Sequence, residues 1–161
     1  NKIETPKWVS FICAGFKESG KIINEKDAIL IPQLMKNHSW YVQQLAHYTW
    51  NMTSKKASEV ELNAALKELI QANSPLYQKE VESISGTQLN LLKAVAKEET
   101  KFMSTAVMQN YNLGTPRNVS KNKDILINND LIHEQNGLYE FLDPAFELWF
   151  KKQYFNQPYI K

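Results

Sequence analysis

Cysteine is almost absent from this chain, since Cys13 is the only one among 161 residues. A single cysteine excludes disulfides within the chain and the cysteine clusters that hold structural zinc. It favours a reducing compartment, and we predict a cytoplasmic protein. The three histidines, His38, His47 and His133, lie far apart without the spacing of metal ligands, so no metal site is expected.

Long apolar runs are missing as well. No stretch approaches the roughly 20 apolar residues that cross a membrane, so no membrane partner is expected. The net charge is only +2, which is too small to indicate a polyanion partner by itself. Residues 1–83 hold ten basic and nine acidic side chains, and residues 84–161 hold nine and eight. Neither half is therefore a basic domain.

One stretch comes close to a phosphate-binding loop without completing it. Gly15, Gly20 and Lys21 fit the pattern G-x-x-x-x-G-K-[ST], but Ile22 occupies the position of the hydroxyl that holds magnesium. No apolar strand ending in an aspartate completes a nucleotide site elsewhere in the chain. We therefore predict no catalytic residue and no cofactor for this chain itself.

Residues 1–83 show the patterns of a helical bundle. The apolar face of the first helix is predicted to lie in the core: Trp8, Phe11, Ile12 and Phe16. All tryptophans lie in amphipathic helices and are predicted to be core residues: Trp8, Trp40, Trp50 and Trp149. Pro32 is predicted to kink or divide the second helix. Asn37 or Ser39 is predicted to cap the third helix, and Asn73-Ser74-Pro75 to end the fourth.

Residues 84–161 show the order of a winged helix-turn-helix, with three helical patterns followed by two short apolar runs around a turn. Gly114 suits a positive φ angle between the second and third helices, and Thr115-Pro116 is a strong start for the third. Asn136-Gly137 is typical of the tight turn of a hairpin. The predicted fold class is therefore mainly α, a helical bundle followed by a winged helix with a small β-hairpin.

The third helix of this pattern carries the candidate partner-binding residues: Arg117, Asn118, Lys121, Asn122 and Lys123. Arg117, the only arginine, and Lys121 lie four residues apart and so share one helix face. Cations suit DNA phosphates, and asparagine amides can read base edges. Against DNA, the stretch 124–150 contains six acids and no Lys or Arg. Duplex DNA is predicted slightly ahead of a protein partner.

The end of the chain is predicted to form one more helix. Asp143 precedes Pro144, and an aspartate N-cap followed by a proline is a strong helix start. The large aromatic side chains of this helix, Phe146, Trp149 and Phe150, are predicted to dock it onto the rest of the fold.

Three stretches carry a resemblance to a known family. Asn37–Leu45 resembles the N-H-P-x-Y-x-Q-x-L start of the family's lid helix, Leu113–Ser120 its recognition-helix opening, and Leu142–Phe150 its terminal D-P-x-F-x-x-W motif. The chain thus resembles the C-terminal region of archaeal-type ATPases of the AAA+/STAND group, which also occur in bacteria. By this resemblance, residues 1–83 would be a lid-like domain.

The resemblance implies an upstream nucleotide-binding domain, with ATP as the cofactor of the parent chain. It also implies that His38 and Ser39 face the nucleotide, because the family's proline after the histidine contacts the adenine side. Ser39 occupies the position of that proline here, and a capping role at the start of the third helix is the alternative for His38. The start of the sequence at Asn1 is expected to be a cut within such a parent.

Three functions fit these patterns. The first is a non-catalytic C-terminal module of a nucleotide-switched ATPase, whose winged helix binds DNA or a protein. The second is a stand-alone DNA-binding transcription regulator, in which residues 1–83 mediate dimerisation or effector binding. The third is a protein-interaction winged helix without DNA contact. A Walker loop upstream of Asn1 would separate the first from the second, and salt-dependent DNA binding would separate both from the third.

Overall fold

Two compact units make up the chain in the computed structural model, which describes residues 2–160. The first unit contains the residues up to Ser74 together with those from Pro158, and the second runs from Pro75 to Gln157. The sequence predicts a boundary between residues 83 and 84, later than the structural division. The difference arises because Tyr77 and Val81 are buried side chains of the second unit.

The first unit is mainly helical. Its elements, in chain order, are α1 (Thr5–Glu18), β1 (Ile22–Ile23), α2 (Glu25–Ala28), α3 (Leu30–Leu34), α4 (Ser39–Met52), β2 (Lys56–Ala57) and the first part of α5 (Glu59–Glu82). The strands β1 and β2 form a parallel pair in which Ile23 lies opposite Ala57. Strands of two residues are too short for an alternating pattern, so the sequence did not predict them.

The two prolines inside helices behave differently. The second helix predicted from the sequence is divided into α2 and α3, as expected. Pro32 lies in α3. The predicted break at Asn73-Ser74-Pro75 is wrong, because α5 continues through Pro75. Leu69 and Ile70 are buried before this proline and Tyr77 after it. Burial on both sides stabilises the continuous helix against the loss of one backbone hydrogen bond.

Two aromatic side chains that were predicted to be core residues lie on the surface instead. Trp8, Ile12 and Phe16 recur every four residues along α1 and are buried. Phe11 is 64% exposed, because it is set about 100° around the helix from Ile12. Trp40, in the first turn of α4, is 53% exposed. Of the other tryptophans, Trp8 and Trp149 are buried, as predicted, and Trp50 is half-buried.

The second unit contains the predicted helices and hairpin. Its elements after the end of α5 are α6 (Gly86–Ala96), α7 (Thr105–Asn110), α8 (Pro116–Asn128), β3 (Ile132–Gln135), β4 (Leu138–Phe141) and α9 (Pro144–Phe155). The strands β3 and β4 are antiparallel, and Asn136 and Gly137 join them with φ angles of 54° and 76°. Positive φ at both positions is typical of a type I′ turn. The predicted fold class, mainly α with a small β-hairpin, is confirmed.

The helix α9 is fixed at its start and along one face. The Asp143 side chain caps it, because Oδ1 accepts hydrogen bonds of 2.9 Å from the backbone N–H groups of Ala145 and Phe146. Phe150 is fully buried, and the rings of Phe146 and Trp149 are stacked with centroids 5.8 Å apart. The predicted docking of α9 by its aromatic side chains is therefore confirmed.

Truncation of Trp149 tests this packing. Trp149→Ala is expected to lower the free energy of unfolding by about 3–5 kcal/mol, because it leaves a cavity beside the rings of Tyr77 and Phe146. Urea denaturation followed by circular dichroism measures the change. Leu76→Ala, on an exposed position of α5, is the control and is expected to change stability by less than about 1 kcal/mol. Equal effects of the two changes would contradict the docking of α9.

Candidate functional site

The predicted partner-binding helix is α8, and a tight turn fixes its start. Leu113 is buried, and Gly114 adopts a φ angle of +84°, which other residues rarely adopt. The Thr115 hydroxyl oxygen accepts a hydrogen bond from the backbone N–H of Asn118 at 3.3 Å. Pro116 occupies the first helical position, where no N–H is needed. The predicted turn and helix start are therefore confirmed.

The helix α8 has a buried inner face and a cationic outer face. Val119 and Leu126 are buried on the inner face. Arg117 and Lys121 are exposed and lie one helical turn apart, and Asn118 is exposed beside Arg117. The structure thus brings three of the predicted residues together on the N-terminal half of the helix.

The two remaining predicted residues make contacts within the fold. Asn122 is only 9% exposed, and its Oδ1 accepts a hydrogen bond of 3.4 Å from Nε2 of Gln88 in α6. Asn122 is therefore not available to read a base edge, the role that the sequence predicts for it, because reaching a base would break this contact. Lys123 is half-buried, and its Nζ lies 5.2 Å from the ring centroid of Tyr139 in β4. The sequence could not indicate either partner, since both are distant along the chain.

The hairpin beside α8 carries carboxylates in place of cations. Glu134 and Glu140 are both exposed. The Tyr139 hydroxyl donates a hydrogen bond of 3.3 Å to Glu134, and His133 Nε2 lies 3.6 Å from Glu140 Oε2. Negative charge at this position repels a phosphate backbone. The outer face of α8, rather than the hairpin, is therefore the candidate for contact with a polyanion.

The second candidate site lies in the other unit, at the start of α4. His38 is the N-cap residue of this helix, and Ser39 is its first residue. A shallow pocket of about 360 Å³ is lined there by Lys2, Asn37, His38, Ser39 and Trp40. The Nδ1 atom of His38 is buried without a hydrogen-bond partner in the described chain. Both residues predicted to face a nucleotide thus line one pocket.

The predicted capping of α4 by Asn37 or Ser39 is wrong, whereas the alternative place of His38 at the helix start is confirmed. The N-cap position belongs to His38, and the helix start has no side-chain capping hydrogen bond. Asn37 adopts a left-handed φ angle of 57°, and its Nδ2 donates a hydrogen bond of 3.1 Å to the Thr5 hydroxyl. This contact directs the amide towards α1 and away from the N–H groups of α4.

The stretch that resembles a phosphate-binding loop has a different geometry. Gly15 lies within α1, and Gly20 follows its end with a φ angle of +81°. The Nζ atom of Lys21 donates a hydrogen bond of 2.8 Å to the backbone oxygen of Trp50 and lies 3.9 Å from the centroid of its ring. The lysine is thus engaged in packing at the end of α4.

Other reactive groups contribute little. Burial raises the pKa of the Cys13 thiol, and the nearby charge of Glu25 raises it further. A raised pKa keeps the thiol protonated at neutral pH, which disfavours nucleophilic chemistry. Among residues 2–160, no cluster of three His, Cys, Asp or Glu side chains is placed to hold a metal ion, and no helix has the length and apolar character needed to cross a membrane.

Comparison with protein families agrees with the geometry of the second unit. Residues 75–152 match the family model described as a probable winged helix domain. These residues thus have the fold of a winged helix domain. In this domain α7 and α8 are the two helices of the helix-turn-helix, and β3 and β4 form the wing. The match begins at Pro75, where the second structural unit also begins.

Comparison with solved structures extends the similarity to the first unit. A Walker-type ATPase of Pyrococcus abyssi is similar over 93% of this chain, with a TM-score of 0.70 and 16% sequence identity. The chain spans 42% of that ATPase. At this identity the likeness shows a shared fold, and it confirms the resemblance to archaeal-type ATPases at that level. No curated protein matches the chain.

Substitution of Gly114 tests the turn that positions the third helix of the winged helix domain. Gly114→Ala is expected to lower the free energy of unfolding by about 1–3 kcal/mol. An alanine at this position would have a strained backbone φ angle, and its Cβ would lie 2.7 Å from Nδ2 of Asn118. Gly86→Ala is the matched control, because a Cβ there meets nothing within 4 Å. An unchanged urea midpoint for Gly114→Ala would refute this turn geometry.

Proposed function

We propose that this chain is the lid and winged-helix part of a nucleotide-switched Walker-type ATPase. In this proposal the parent chain binds ATP through an upstream nucleotide-binding domain, and the part described here performs no catalysis. The fold shared with a Walker-type ATPase over 93% of the chain supports the assignment. A cytoplasmic location follows from this role and from the scarcity of cysteine.

The winged helix domain, in this proposal, binds duplex DNA through the outer face of α8. The observation that carries it is the pair Arg117 and Lys121, which are exposed one turn apart with no acidic residue between them, one turn before the exposed Asp124. Both cations lie in the N-terminal half of α8, where the helix dipole adds partial positive charge. A phosphate near the helix start would therefore meet side-chain cations and this partial positive charge together. Asn118 is the exposed side chain available for a base edge.

Lys123 has a supporting role in this contact. Its stacking on Tyr139 holds the ammonium group near the wing. From there it can offset the charge of Glu134, to which Tyr139 is hydrogen-bonded. Two or three phosphate contacts are the most that this set of cations supports, so the affinity is expected to be weak.

The lid contributes the pocket at the start of α4. We propose that His38 and Ser39 face the nucleotide of the upstream domain. The buried Nδ1 of His38 supports this assignment, because it has no hydrogen-bond partner in the described chain. A polar group of a nucleotide would supply one.

A protein partner for the winged helix is the second candidate. The exposed carboxylates of Glu134 and Glu140 favour it, as does Leu138, which is half exposed in the wing. A basic protein surface would pair with these carboxylates.

Removal of the two exposed cations tests the DNA proposal. Wild-type chain titrated with duplex DNA is expected to bind with a log–log salt slope of about −2 to −3. Arg117→Ala/Lys121→Ala is expected to remove about two units of this slope and most of the affinity at low salt. Fluorescence anisotropy at several salt concentrations measures both quantities.

The matched control is Lys67→Ala/Lys79→Ala, which removes the same charge from exposed positions of α5. It is expected to change binding little, because these cations are not on α8. Equal loss in the two double variants would indicate a net-charge effect. Absence of binding by the wild-type chain at low salt would leave the protein partner as the better candidate.

A second test concerns catalysis. The chain is expected to release phosphate from magnesium–ATP only at the background rate. Ile22 has no hydroxyl to hold the metal, and the Lys21 side chain donates a hydrogen bond to the backbone oxygen of Trp50. A coupled phosphate assay measures this. Release above background that Lys21→Ala abolishes would contradict the proposal.

A further inference from the structure

An apolar groove runs between α1 and α4 in the first unit. It consists of a cavity of about 480 Å³ and a neighbouring one of about 360 Å³, and Phe11 and Gln43 line both. The groove runs along α1, from Ile3 before the helix to Ser19 at its end. Its lining contains no carboxylate, so its walls suit an apolar side chain.

A projecting ring and an open position lie one helical turn apart on α1. Phe11 is 64% exposed, and the edge-on ring of the buried Trp8, 5.9 Å away, holds it in place. Gly15 lines the larger cavity, and a Cβ added there would meet nothing within 4 Å. Glycine inside a helix forfeits stability relative to alanine, and here its effect is to keep the groove open beside the ring.

Two residues of opposite charge share the face of Phe11 towards the two ends of α1, and the exposed N-cap residue Glu4 precedes the first of them. Lys7 and Glu18 lie four residues before and seven residues after Phe11, which places all three on one face of α1. Both charged side chains are exposed, and neither has a salt-bridge partner among residues 2–160. They are about 16 Å apart along the helix, too far to pair with each other.

These features make the face complementary to itself. When two copies of α1 are laid antiparallel about a two-fold axis, Phe11 of each comes opposite Gly15 of the other. The same register brings each Lys7 towards the other copy's Glu18. We propose that two copies of this chain associate through antiparallel α1 helices, with each Phe11 ring seated in the other copy's groove over Gly15.

The pairing of charges favours a second copy over an unrelated partner. An antiparallel copy of α1 brings a matching cation, carboxylate, ring and cavity in one register. Ser10 and Ala14 are small and exposed on the same side of α1, so the two helices can approach closely. This association requires neither nucleotide nor DNA.

A charge-exchange cycle tests the proposal. Sedimentation equilibrium of the 161-residue chain, from micromolar to millimolar concentration, is expected to show a monomer–dimer equilibrium. Lys7→Glu and Glu18→Lys are each expected to weaken the dimer about tenfold, because each turns two attractions into two repulsions. The double variant is expected to restore wild-type association within about threefold. Failure to recover in the double variant would contradict the antiparallel register.

The ring and the cavity are tested separately. Phe11→Ala is expected to weaken the dimer about thirtyfold without lowering the melting temperature, since the ring is exposed. Gly15→Leu fills the cavity and is expected to abolish dimerisation while raising helix stability. Val60→Ala, at a position that is 75% exposed, is the control and should dimerise normally. A wild-type chain that stays monomeric at millimolar concentration, or a dimer indifferent to Phe11→Ala, would overturn the proposal.

Discussion

The packing of α9 against α6 and β4 is the contact on which the winged helix domain depends. Phe150 is fully buried, and Phe141 of the wing lies 5.3 Å from it between ring centroids. The same aromatic cluster includes Tyr77 from the end of α5. The helix α9 thus contacts the wing, α6 and the end of α5. The cap by Asp143 sets where that helix begins and hence which rings enter the core.

The parts that the sequence predicts well are those decided within a few residues. Thr115-Pro116, Asp143-Pro144 and Asn136-Gly137 act through their own backbone conformation and nearest hydrogen bonds, so a pattern is enough to place them. Pro75 shows the limit of this reasoning. A local rule predicts a break there, but side chains buried on both sides of it stabilise a continuous helix.

The candidate site shows the same limit at the level of single side chains. Arg117 and Lys121 share one face of α8, as their spacing predicts, and that face is exposed. Asn122 belongs to the same helix, but Gln88 of α6 engages it, and only tertiary structure reveals that contact. The apolar pattern of α1 predicts Phe11 in the core with Trp8 and Ile12, whereas its angular position on the helix leaves it outside. Sequence patterns assign a residue to a helix more reliably than to one side of it.

The cationic face of α8 is held by contacts that do not involve a ligand. Thr115 caps the helix, and Val119 and Leu126 bury its inner side within the domain. Reshaping this face would require breaking those contacts, which costs several kcal/mol. Under the proposed function, ATP would therefore control DNA binding by changing access to a preformed surface rather than by reshaping it. A switch of this kind leaves the intrinsic DNA affinity of the winged helix domain unchanged and alters only the fraction of molecules able to bind.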